Sequence, residues 1–274
     1  MTVVDKIVDL IRKTSSSLPE DVLKVLKASF RKEAKDSSAA VVLKTILDNC
    51  VVAAKRGTPL CQDTGTLTFF VDEKLRRRVT PAVLKKAVAK ATELGCLRKN
   101  TIDSVTGKSY DDNVCEGAPV VHYGEHPGVT LVMKGGGSEN MSRQYSLPDS
   151  SLGAGRDLAG VRRCVLDAVQ KIQGYGCAPG ILGVCIGGDR ATGYEIAKEQ
   201  LLRRLGDKAA DPKLRALEAK LLKEANALGI GPMGLGGKTT LLGVKIAMRS
   251  RVPASFFVTI AYMCWACRRQ TIRL

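Results

Sequence analysis

The chain has 274 residues, 45% hydrophobic and 26% charged, which is ordinary for a globular protein and enough to build a proper core. No apolar run approaches the ~20 residues that cross a bilayer, and Asp5 and Asp9 argue against a transit peptide at the N-terminus. A formal net charge of +16 raises nucleic acid as a partner, but the basic residues are dispersed, as in Arg76-Arg77-Arg78, Arg203-Arg204 and Arg268-Arg269, without interleaved aromatics, so a basic surface facing an acidic chain or anionic substrates is the expectation instead.

Residues 1–55 read as helical, because Val4, Ile7, Val8 and Ile11 recur at helical spacing, as do Val22, Val25 and Leu26 after Pro19. Gly57-Thr58-Pro59 breaks the pattern. Residues 66–71 (Thr-Leu-Thr-Phe-Phe-Val) predict a strand, and Thr80 caps a helix from Pro81 to about Leu94. Short strands are predicted at 119–123 and 129–133. A helix at 155–172, a buried strand at 181–186, helices at 192–205 and 214–228, and strands at 240–248 and 254–261 follow. The fold class is therefore mixed α/β (α+β), without strict βαβ alternation. No repeat or low-complexity linker marks a boundary, so residues 1–274 are read as one domain.

Nine cysteines, an odd count without scaffold-like spacing, predict a reducing cytoplasm in which thiols serve chemistry or packing. Three of them sit far apart in distinctive surroundings: Cys61 in Leu-Cys-Gln-Asp-Thr-Gly, Cys177 in Gly-Cys-Ala-Pro-Gly and Cys264 in Met-Cys-Trp-Ala-Cys. Ligands that meet only after folding suggest a cluster or metal built into an active site, whereas a finger or ribbon uses closely spaced pairs. Three thiolates fall one short of filling a four-iron cluster, which leaves one iron open to substrate.

Other loops carry polar chemistry. Cys61-Gln62-Asp63-Thr64 offers a thiol, an amide, a carboxylate and a hydroxyl in sequence. Its Asp-Thr-Gly is single, so no intrachain aspartic-protease dyad exists. Lys134-Gly-Gly-Gly-Ser-Glu-Asn140 lets backbone N–H groups converge on an anion. Gly229 to Thr240 tempts a P-loop reading, but Pro232 stands where that motif needs glycine and the segment follows a helix, so ATP binding is rejected. Its glycines and lysine still predict a loop around an anion or cluster. His122 and His126 are the chain's two histidines, and Gly124 and Pro127 deny them the helix that would align a metal pair.

Taken together and in order, these loops resemble the class I, iron–sulfur-dependent fumarate hydratase family, in its α-subunit or N-terminal half; tartrate dehydratase α-subunits share the pattern. The resemblance runs through Pro59 to Gly65, Lys134 to Ser142, Gly176 to Pro179 with Gly187-Gly188, Gly229 to Thr240, and Pro253-Ala-Ser255 through Cys264 to Arg268. It implies that Cys61, Cys177 and Cys264 hold a [4Fe–4S] cluster whose fourth iron binds the carboxylate and hydroxyl of a small dicarboxylate such as fumarate or malate. It places Gln62, Asp63, Arg98 and Gly136 at the substrate, with Asp63 as the acid–base group. Arg98 suits bidentate carboxylate binding. The family's second half, a β-subunit or C-terminal domain, contributes further substrate contacts. The expectation is therefore a chain that works in a heteromer, as α2β2, and turns over poorly alone. One departure stands out: the family usually has a histidine just before Pro-Ala-Ser, where this chain has Val252. Tartrate or mesaconate-type substrates, and a non-catalytic iron–sulfur protein, are the alternatives that Val252 keeps open.

Overall fold

The computed structural model describes all 274 residues. In chain order the elements are α1 (Val3–Ser16), α2 (Glu20–Lys32), α3 (Ser38–Arg56), β1 (Thr66–Asp72), α4 (Pro81–Glu93), β2 (Thr101–Ile102), β3 (Ser109–Tyr110), β4 (Val120–Gly124), β5 (Val129–Lys134), α5 (Gly136–Asn140), β6 (Arg143–Ser146), α6 (Leu158–Ile172), β7 (Gly180–Gly187), α7 (Arg190–Gln200), α8 (Pro212–Ala227), β8 (Leu241–Arg249), β9 (Phe257–Met263) and β10 (Arg268–Ile272). This is the mixed α/β fold expected. No helix is long and apolar enough to cross a membrane.

The chain forms two compact units. The first gathers Met1–Pro19, Leu47–Gly136 and Ala266–Leu274, and the second Glu20–Ile46 and Gly137–Trp265. Because the chain passes between them repeatedly, no single cut separates them.

The first unit is built on a sheet of order β10-β5-β1-β4, with β4 parallel and β5 antiparallel to β1. Alternation along β1 sends Leu67, Phe69 and Val71 to one core. Helix α1 presents Ile7 and Ile11, and α4 presents Leu84 and Val88, to that same core. Helix α1 begins with a capping box, Thr2 and Asp5 bonding each other's backbone N–H.

The second unit has a sheet of order β6-β9-β7-β8. Strand β7 is buried along its whole length, as expected of a run of Gly, Ile, Leu and Val between two neighbours. Helix α6 buries Val161, Val165 and Ile172 against Val184, Val258 and Ile260 of the sheet.

Several boundaries differ from expectation for local reasons. Helix α7 starts at Arg190, because the Asp189 carboxylate accepts from the N–H groups of Ala191 and Thr192, and it closes at Gln200 in a turn of Leu201 N–H to Lys198 O and Leu202 N–H to Glu199 O. Strand β9 begins at Phe257, not 254, because Val252–Ser255 is a turn that Arg251 Nη1 holds by donating to the carbonyls of Val252, Pro253 and Ser255. The polar strands β6 and β10 carried no hydrophobic alternation to announce them.

Candidate functional site

In the first unit, the loop 61–65 is fixed from several directions. Asn49 Nδ2 donates to the carbonyl of Leu60 (3.0 Å), and Leu60 N–H donates to Ser15 O (2.9 Å). Buried Thr64 bridges to Arg98, donating from Oγ1 to its carbonyl and accepting its N–H, at 3.1 and 3.0 Å. The Arg98 side chain donates to the Gln62 carbonyl at 3.2 Å. Arg268, only 1% exposed, donates from Nη2 to the Asp63 carbonyl at 2.7 Å. Gln62, Asp63 and Arg98 are thus gathered in one place, on a backbone bolted by charged donors.

Glycine makes this packing possible. Gly65 has φ +73°, and a Cβ there would lie 2.3 Å from Lys134 O. Loop 61–65 therefore presses on the end of β5. The Asp63 carboxylate comes so close to Gly135 that a Cβ there would lie 2.7 Å from Oδ2; at Gly136 the distance is 3.9 Å. Gly136 is accordingly beside Asp63. Asp63 and Gly136 line a cavity of about 320 Å³ with Asn100, Thr101, Asn113 and Glu116. Asn113 organises its wall. It is buried at φ +59°; its Oδ1 accepts from the N–H groups of Asn100 and Thr101, and its Nδ2 donates to the Arg98 carbonyl at 2.8 Å. Asparagine tolerates the left-handed region better than most residues, and that was the one sequence signal for Asn113.

In the second unit, Cys177 and Cys264 are stitched together through backbone. Trp265 N–H donates to Cys177 O at 3.3 Å. Two serines of the motif 134–142 support the end of β9: Ser138 Oγ accepts the Cys264 N–H at 3.2 Å, and Ser142 Oγ accepts the Tyr262 N–H at 3.3 Å. Cys177 itself has φ +53°. The Tyr262 ring lies against Gly176 and Gly180, the residues bracketing the Cys177 turn, where a Cβ would come within 2.4 and 2.3 Å of its atoms. Burial holds the Tyr262 phenol well above its ordinary pKa, and the Cys264 and Cys177 thiols push the same way.

The glycine-rich loop 229–240 has several of its N–H groups committed within the fold. Its N–H groups at Gly231, Lys238 and Thr240 are taken by Thr240 Oγ1, the Glu33 carboxylate and Asn226 Oδ1. Met233 N–H donates to Ala178 O, and a Cβ on Gly174 would meet Met233 O at 2.4 Å. The loop buttresses the Cys177 turn; of the two expectations, an anion or a cluster, the committed N–H groups argue against an anion held by them.

The nine thiols separate into two groups. Cys50, Cys96, Cys164, Cys185 and Cys267 are buried, and desolvation pushes Cys50, Cys164 and Cys185 up to about 11. Cys61, Cys115, Cys177 and Cys264 remain accessible. Within neither unit do three His, Cys, Asp or Glu side chains gather around a single metal ion. A four-iron cluster takes its thiolates at separate corners, and the accessible set contains the three thiols expected. His122, by contrast, stacks on Phe70 at 5.1 Å between centroids, with His126 edge-on to the same ring at 5.3 Å.

A family model described as fumarate hydratase matches residues 4–273. The chain is therefore of a hydro-lyase family. It is 46% identical to a candidate class I fumarate hydratase of Geobacillus stearothermophilus, over 97% of this chain but 53% of that protein. It is 33% identical to a candidate L(+)-tartrate dehydratase α-subunit of Methanocaldococcus jannaschii, over 100% of this chain and 98% of that one. It is 31% identical to the L(+)-tartrate dehydratase α-subunit of Escherichia coli K12, over 94% and 86%. The chain thus spans about half of the fumarate hydratase and most of each tartrate dehydratase subunit. It belongs to the class I fumarate hydratase family.

Proposed function

We propose that this chain is the cluster-bearing α-subunit of an iron–sulfur hydro-lyase that interconverts fumarate and (S)-malate in the cytoplasm, in an α2β2 assembly with a β-subunit. Cys61, Cys177 and Cys264 would hold the [4Fe–4S] cluster, and the accessible thiol chemistry of all three fits that role. When bound, its open iron supplies Lewis-acid polarisation of the hydroxyl that leaves as water. The observation carrying the reading is the Asp63 carboxylate, held by its own backbone against Gly135 at the edge of the 320 Å³ cavity.

The chain's residues would then divide the work. Asp63 would take the proton from the carbon next to the one bearing the hydroxyl, so that the C–H pair becomes the double bond as the C–O bond breaks, and would return that proton in the hydration direction. Arg98 and the Gln62 amide hold substrate oxygens, Arg98 by charge and Gln62 as a neutral donor. Gly136 leaves the carboxylate's approach open. Tartrate is the second reading. It is favoured by the near-complete span of the two tartrate dehydratase subunits and by Val252, which cannot transfer a proton.

The test is the EPR spectrum of anaerobically reconstituted, reduced protein with (S)-malate or L(+)-tartrate. A cluster signal that shifts with malate supports the fumarate reading, and one that shifts with tartrate alone selects the second. Absence of any cluster after careful reconstitution overturns both.

A further inference from the structure

We propose that in the cluster-loaded protein the phenol of Tyr262 donates a hydrogen bond to a sulfur of the cluster site at Cys177 and Cys264, making it a positioning residue that sets the reduction potential of the cluster they hold. The inference rests on the iron–sulfur reading above.

Tyr262 is 1% exposed, and its phenol oxygen has no hydrogen-bond partner in the protein. Its backbone is accounted for: the N–H goes to Ser142 Oγ, and the residue pairs with Leu182 across β7 and β9. The hydroxyl is the group left over. In an apolar core a buried hydroxyl without a partner is costly, and phenylalanine would fill the same space without that cost. Buried tyrosine normally finds an acceptor.

The surroundings say which acceptor. The ring packs on Gly176 and Gly180, on either side of Cys177, and a Cβ at Gly180 would lie 2.3 Å from the phenol oxygen itself. Tyr262 also stands two residues before Cys264, whose neighbour Trp265 bonds the Cys177 carbonyl. A thiolate ligand or cluster sulfide accepts hydrogen bonds, and donors aimed at such sulfurs are one of the means by which a protein raises a cluster's potential. The two glycines read accordingly: they admit the ring beneath the turn that presents Cys177.

The experiment compares wild type with Tyr262→Phe, both reconstituted anaerobically with iron and sulfide. Iron content, apo-protein thermal unfolding and the midpoint potential from an EPR-monitored redox titration are measured for each. Phenylalanine keeps the ring, so the apo chain should unfold at the same temperature or higher. The expected result is equal iron loading with a midpoint potential shifted to more negative values. An unchanged potential at equal loading overturns the proposal and leaves the cluster reading intact. A wild-type chain that takes up no cluster overturns both, so the two failures are told apart.

Discussion

Arg268 holds the carbonyl of Asp63, donating through Nη2 at 2.7 Å from a position 1% exposed to solvent. Its Nε and Nη1 have no hydrogen-bond partner in the protein. A buried cation with one hydrogen bond is expensive, and a well-packed apolar side chain of similar volume is often as stable. Its value therefore lies in fixing where the Asp63 loop sits. Arg268→Met should keep thermal stability within a few degrees, since the lost charge-assisted bond, about 1.5–3 kcal/mol, is offset by the charge no longer buried. Turnover of the loaded enzyme should fall by about tenfold or more, because small displacements of a catalytic group cost that much. Arg268→Lys, which keeps charge but not the planar fork, should recover part of the loss. Full activity in Arg268→Met would show that the loop holds itself.

Gly135 and Gly137 make a matched pair. An added methyl at Gly135 would lie 2.7 Å from Asp63 Oδ2, whereas at Gly137 nothing lies within 4 Å. Gly135 does not use a positive φ, so alanine meets no backbone strain there. The side chain that must move is the proposed acid–base group. Gly135→Ala should lower kcat by about 10²-fold, the lower end of what a positioned acid–base group contributes, with iron loading unchanged. Gly137→Ala should be near neutral in both. Equal kinetics for the two variants would remove Asp63 from the reaction.

This pair also shows what the sequence could and could not disclose. The loop 61–65 was legible because four reactive side chains stand in a row before a strand, and α4, β1 and β5 around it were legible from pattern, whereas the polar β10 was not. Which glycine receives the carboxylate was not, since a glycine carries no side chain to announce its neighbour. Arg268 read as one of several dispersed basic pairs, and nothing local distinguishes a buried arginine from a solvated one. Tyr262 lay one residue beyond the strand predicted at 254–261, with nothing local to single it out. The loop 229–240 was read by composition as wrapping an anion or cluster, and nothing local showed that Glu33 and Asn226, distant in sequence, take the N–H groups of Lys238 and Thr240. In each case the deciding atom is brought by tertiary contact.

The buried thiols give the chain a pH dependence with a definite sign. Burial pushes Cys50, Cys164 and Cys185 up to about 11 from an ordinary value of 9.0. Between about pH 9 and 11 the unfolded chain releases protons that the folded chain retains, so their contribution is complete below pH 9 and is lost as pH rises through the window. Tyr145 adds to the loss above pH 10, its phenol held up by burial and by the Asp167 carboxylate to which it donates. Lys245, lowered by burial, works in the opposite direction, one group against three thiols. Thermal unfolding of the apo chain should therefore occur at progressively lower temperature from pH 9 to 11. A Cys164→Ala, Cys185→Ala variant should show a shallower slope even though it starts from lower stability. A flat profile in the wild type would mean that these thiols ionise in the folded state as readily as in the unfolded one.

Val252 is the remaining test of how the reaction is run. It is 65% exposed, in a turn whose carbonyls are held by Arg251 and whose Ser255 N–H returns to Val252 O at 3.2 Å. The turn therefore depends on backbone atoms and on Arg251, not on the valine side chain. Val252→His should cost no more than about 0.5 kcal/mol, as surface substitutions usually do. Imidazole restores a group that titrates near pH 6.5 at the position where the family usually has histidine. If malate is the substrate, kcat should rise by about tenfold or more with KM nearly unchanged, because a proton-transfer group acts on the transition state and not on substrate binding. The pH–rate profile should gain a limb near 6.5 that Val252→Gln, similarly polar but without a proton to exchange, does not produce. A kcat and profile identical to wild type would show that this chain moves its proton through another group, and would shift the balance toward a different hydroxy acid such as tartrate.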